Sequence, residues 1–115
     1  MQVKPKDLKS KAMISQPIVG KSYEEVVVTR DKAIQILKDK GYLIVNTSFI
    51  DGPQNRDHMK MRGIVQVPIA LLSESLDIMS KCHAVFFCKG WEYDRSCKIQ
   101  HAIAINYNLK ILYEY

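Results

Sequence analysis

The run Ala84-Val85-Phe86-Phe87-Cys88 constrains the fold more than any other stretch of the chain. It is apolar throughout and rich in strand-forming residues. A strand with one wet face alternates apolar and polar residues. An unbroken apolar run belongs to a strand covered on both faces, as in a parallel sheet with helices packed on each side.

The rest of the chain supplies the partners such a sheet needs. Residues 12–15 form a short candidate first strand. Ser22 and Glu25 have the spacing of a capping box, and Tyr23, Val26, Val27, Ala33, Ile34 and Leu37 follow at helical spacing. Gly41 suits the left-handed position that ends this helix. Residues 42–45 are a second strand. The 46–63 segment has little periodicity and carries the turn signal Asp51-Gly52-Pro53, so it reads as a loop. Two readings of that loop stay open, a lid over a ligand and plain disorder, and Met59 and Met61 suit an adaptable cover. Pro68 opens a second helix, with Ile69, Leu72, Leu76 and Met79 as its stripe. A third helix over 95–107 ends at Asn108, and 109–113 forms a fourth strand. Strands alternating with helices, joined by right-handed crossovers, predict a three-layer α/β fold with a four-stranded parallel sheet.

At 115 residues this is one domain, expected over 12–115 behind a basic tail at 1–11. The chain is 47% apolar and 25% charged, an ordinary globular balance. Its net charge of +5 is concentrated in the tail, where Lys4, Lys6, Lys9 and Lys11 face only Asp7. No aromatic residue interleaves with those lysines, so a nucleic-acid partner is not expected. No stretch approaches the ~18 apolar residues of a membrane span. The odd cysteine count (Cys82, Cys88, Cys97) and its lack of metal-site spacing point to reduced thiols in a cytoplasm, with no bound metal and no cofactor. Asp51, Asp57 and His58 fit no metal motif and read as a solvated loop.

In an open parallel sheet, ligands bind outside the carboxyl ends of the strands. Two loops lie there. The 15–22 loop, Ser15-Gln16-Pro17-Ile18-Val19-Gly20-Lys21-Ser22, ends like a phosphate-binding P-loop. It lacks the leading glycine, and Pro17 removes a backbone donor, so an ATPase is not expected. The helix start at Gly20, Lys21 and Ser22 still suits one phosphate. The second loop follows Cys88 and offers Gly90, Trp91, Glu92, Tyr93, Asp94 and Arg95. Trp91 is suited either to stacking a base or to filling the gap over the sheet. Asp94 is suited to general acid or base work, or to capping the next helix. His83 and His101 read as structural histidines, and Cys88 and Cys97 as small core residues.

Four pieces of the chain, Ile14-Ser15-Gln16-Pro17, Cys82-His83-Ala84-Val85, Gly90-Trp91-Glu92 and Gln100-His101-Ala102, resemble the nucleoside 2-deoxyribosyltransferase-like superfamily, particularly its small bacterial and phage members. The resemblance spans about residues 12–114. It implies a flavodoxin-like strand order, 2-1-3-4, with both loops at the switch point between the first and third strands. It implies a pocket for a nucleoside, nucleotide or nucleotide-derived signal, formed by Ser15, Gln16, Pro17, Gly20, Lys21, Ser22, Gly90, Trp91 and Glu92. It implies a homo-oligomer. In the family a glutamate attacks the anomeric carbon and the base leaves. Here that position is Gln100, which is neutral and a poor nucleophile. Gln100 and Asp94 are therefore the candidate catalytic positions of a binding protein whose N-glycosidic chemistry is weakened or lost. The alternative is an active deoxyribosyltransferase or deoxynucleoside monophosphate N-glycosidase that uses another residue. His83 replaces the family's frequent aspartate.

Overall fold

The computed structural model describes residues 9–45 and 53–115. Strand β1 (Lys11–Ser15) leads into helix α1 (Tyr23–Asp39), then β2 (Leu43–Ile44), α2 (Pro53–Met61), α3 (Val67–Met79), β3 (Ala84–Phe87), a 3-10 turn at Trp91–Tyr93, α4 (Arg95–Asn106) and β4 (Lys110–Tyr113). The four strands form one sheet in the order β2-β1-β3-β4, and every neighbouring pair is parallel. This is a flavodoxin-like α/β fold. No helix among the described residues is long and apolar enough to cross a membrane.

The period of two along each strand explains the layers. Ala12 and Ile14 of β1 share a face with Ala84 and Phe86 of β3, and that face packs on Ala33 and Leu37 of α1. Met13, Val85 and Phe87 point the other way, onto Met79 of α3 and Ala104 of α4. Both central strands are buried on both faces, as the unbroken apolar run requires. Parity also aims the strand ends. Ser15 shares the face of Met13 and so meets the α3–α4 layer, whereas Cys88 shares the face of Phe86 and lies on the α1 side.

The helix boundaries follow local chemistry. The Ser22 hydroxyl accepts the Glu25 amide at 3.1 Å and caps α1. Gly41 takes φ +87° just past the end of α1, and Asn108 takes φ +59° after α4, both in the left-handed region.

Three expectations need correction. The 46–63 segment is not a loop throughout, because Pro53–Met61 is helical; residues 46–52, with Asp51, lie outside the described residues. Met59 is packed away at 1% exposure while Met61 is exposed, as expected when one side of a short helix docks and the other stays wet. In α3 the buried residues are Val67, Ser75 and Met79, whereas Ile69 is exposed. Leu76 and Met79 of the expected stripe do pack on the core, Leu76 partly buried, and Ser75 joins them on the buried side. In α1 likewise, Tyr23 is exposed and Arg30 takes a buried place beside Val26 and Ala33. The basic tail falls mostly outside the described residues, which begin at Lys9.

Candidate functional site

The carboxyl ends of β1 and β3 bring the two loops together. Gly90 has φ +89°, a conformation that other residues adopt only with strain, and a Cβ built there would meet Pro17 Cγ at 3.7 Å. The 15–22 and 88–94 loops therefore abut at the switch point.

Beneath them lies a buried polar line. The Ser15 hydroxyl donates to Gln100 Oε1 at 2.5 Å. Gln100 Nε2 donates to Ser75 Oγ at 3.0 Å, and the Ser75 hydroxyl donates to the Leu72 carbonyl at 2.7 Å. All three side chains are buried, with Gln100 at 8% exposure. Each group has a defined sense: Ser15 gives to the amide oxygen, and Ser75 receives from the amide nitrogen. A neutral amide with one acceptor end and one donor end matches that order. An ionised carboxylate, which only accepts, would force Ser75 to turn its hydroxyl away from Leu72. Ser75 is the member that sequence reasoning missed. Its signal is a small polar residue at helical spacing from both Leu72 and Met79.

Asp94 is the N-cap of α4, and its carboxylate accepts the Cys97 amide at 2.9 Å. Gln16 turns away from the loop mouth. Its Nε2 donates to the Val26 carbonyl at 2.8 Å, and its Oε1 accepts from Arg30 Nε at 3.0 Å. At the phosphate-like loop, Gly20, Lys21 and Ser22 are exposed. The expected set of open helix-start donors is reduced, because the Lys21 amide bonds the Ile18 carbonyl at 3.2 Å and the Glu25 amide is taken by Ser22. Glu92 is exposed on the 3-10 turn.

Trp91 is half-buried in an aromatic cluster. One face stacks on His101, with ring centroids 3.9 Å apart and planes 22° apart, and Phe87 and Tyr113 complete the cluster. His101 Nε2 lies 2.7 Å from the Tyr113 hydroxyl. Burial pulls the His101 pKa below its ordinary value. A base approaching Trp91 therefore finds one face already covered by an imidazole.

The thiols are held neutral. Burial pushes Cys88 and Cys97 up to about 12, and Cys82 up to about 11. Burial thus favours the neutral thiol, the less nucleophilic form, at all three positions. His83 lies at the amino-terminal edge of the sheet, where its Nδ1 accepts the Lys11 amide at 2.9 Å. It sits at the amino-terminal end of β3, away from the Ser15–Gln100 contact at the carboxyl end of β1.

Comparison with known proteins finds no matching family model, no matching curated protein and no matching solved structure. The resemblance to the deoxyribosyltransferase-like superfamily rests on the motifs alone.

Proposed function

We propose that the chain binds a nucleoside or nucleotide at the carboxyl edge of its sheet, in the manner of the nucleoside 2-deoxyribosyltransferase-like proteins, without cleaving the N-glycosidic bond. The observation that carries this reading is the Ser15–Gln100–Ser75 line. The residue at the family's nucleophile position is an amide with both ends engaged by buried hydroxyls. Such a network favours a neutral side chain over a charged nucleophile. The switch-point setting supports a ligand site by the general rule for open parallel sheets. The exposed Gly20-Lys21-Ser22 helix start supports an anionic group on the ligand.

An active N-glycosidase would need another nucleophile. One oxygen of the Asp94 carboxylate is engaged in capping α4, and burial favours the neutral form of the neighbouring thiols. No cofactor is required for binding alone. In solution, a homo-oligomer is part of the same proposal, because family members complete one another's pockets.

One experiment separates these outcomes. The protein is incubated with a panel of deoxynucleosides and their monophosphates, and both free base and bound ligand are measured. Binding without base release is the expected result. Base release by the wild type that Gln100→Ala abolishes would overturn it.

A further inference from the structure

Arg30 occupies a place in α1 that an apolar residue would fill more cheaply. It is 7% exposed, and it shares the buried stripe with Val26, Ala33 and Leu37. Desolvation of a cation is costly, and well-packed apolar replacements of buried charges are often neutral or stabilising. The guanidinium therefore needs a reason that packing does not supply.

The geometry offers one. Arg30 Nε donates to Gln16 Oε1 at 3.0 Å, and Gln16 Nε2 donates to the Val26 carbonyl at 2.8 Å. Gln16 is the first residue after β1, so both ends of its amide are fastened to α1, about one helical turn apart. Pro17 follows, buried, with Cγ 3.7 Å from the position of a Cβ at Gly90. The connection runs from the middle of α1, through Gln16 and Pro17, to the second site loop.

We propose that Arg30 is a positioning residue: through Gln16 it fixes the 16–22 loop in the one arrangement that presents Gly20, Lys21 and Ser22 to the phosphate of a nucleoside monophosphate. The ligand class rests on the function proposed above; the clamp itself does not. Gln16 is then a brace rather than a ligand contact, and a planar donor explains arginine at position 30 where lysine would supply only a point charge.

The test uses the full chain and two variants, Arg30→Met and Gln16→Met, which keep the bulk and remove the clamp. Without ligand, amide hydrogen exchange is read at Lys21, whose N–H bonds Ile18 within the loop, against core amides of β3. Each variant should speed exchange at Lys21 tenfold or more relative to the core, and the double variant should add little to either. A role in filling space alone would be met by methionine and would leave exchange unmoved. Wild-type exchange at Lys21 in a folded Arg30→Met protein overturns the clamp. If that variant fails to fold, Gln16→Met, which leaves the helix intact, decides the matter by the same readout. A second arm measures affinity for deoxyguanosine and its monophosphate. The clamp variants should lose tenfold for the monophosphate and little for the nucleoside. Equal losses on both overturn the phosphate role. A wild type that binds neither overturns the nucleotide reading and leaves the exchange result standing.

Discussion

Replacing Gln100 by glutamate tests the buried amide line most directly. The change preserves volume, so α4 need not move. Protonated, the new carboxyl keeps the wild-type order: its carbonyl accepts from Ser15 and its O–H donates to Ser75 in place of Nε2. Ionised, it confronts the Ser75 oxygen with a second acceptor, and Ser75 must give up the Leu72 carbonyl to answer it. The site is 8% exposed, so the charge also loses most of its hydration. Burial raises a carboxyl by several units, and two hydroxyl donors return part of that. A net rise of about 2 units above the usual ~4.3 corresponds to about 3 kcal/mol. Because the folded pKa is raised, Gln100→Glu should match the wild type below pH ~4.3. It should then lose stability as pH rises and reach the full deficit above pH ~6. Urea unfolding of both proteins at several pH values measures this, with the wild type removing every other titration. A deficit that is the same at acid and at neutral pH would refute the argument, because the line would then tolerate the ionised carboxylate as well as the protonated acid. Under the proposed function the same ionisation would supply a nucleophile, so base release from a deoxynucleoside monophosphate should appear over the same pH range. A folded variant that binds the nucleotide yet stays inert would mean a pocket built for binding alone.

Other outcomes follow from the site and its surroundings. A nucleoside monophosphate should bind more tightly than its nucleoside by about 1 kcal/mol or more, from charge-assisted hydrogen bonds at the helix start, and calorimetry giving equal affinities would remove that argument. Asp94→Ala should destabilise the chain by about 1 kcal/mol in denaturant titration through loss of the α4 cap, with Asp94→Asn retaining most of it; a large loss for both would assign the carboxylate another role. Trp91 is the single tryptophan, so its fluorescence reports the stacked His101. Burial favours the neutral ring, so the stability it contributes is present above the ordinary value of 6.5 and is lost as pH falls through the lower folded value. Emission should change with a midpoint below 6.5 and lose that dependence in His101→Phe, and a midpoint above 6.5 would contradict the burial effect. Sedimentation at micromolar concentration should give a dimer or larger, and a monomer would end the proposal of an assembly.

Much of the layer structure was legible because periodicity is local. The unbroken apolar run of β3, the capping of α1 by Ser22 and the left-handed Asn108 each depend on a few consecutive residues. The N-cap role of Asp94 was among the two readings the sequence offered, since a short polar residue before a helix caps it with a backbone partner three positions away. The 53–61 helix was not legible. Its sequence, Pro-Gln-Asn-Arg-Asp-His-Met-Lys-Met, lacks a repeating apolar stripe, and Met59 becomes an anchor only once a surface exists to receive it.

By itself, then, the sequence determined the kind of layers, the order of helices and strands, and the amide at position 100, because propensity, capping and side-chain period are written over a few neighbouring residues. The tertiary structure decided which polar groups meet. Ser15 and Gln100 lie 85 residues apart and Gln100 and Ser75 lie 25 apart, on a strand and two different helices. Arg30 was hidden inside a stripe that reads as apolar, and Trp91 found its partner in His101 on the following helix. A buried polar group must be satisfied wherever the fold places it, and which partner satisfies it depends on distances in space that no local pattern records.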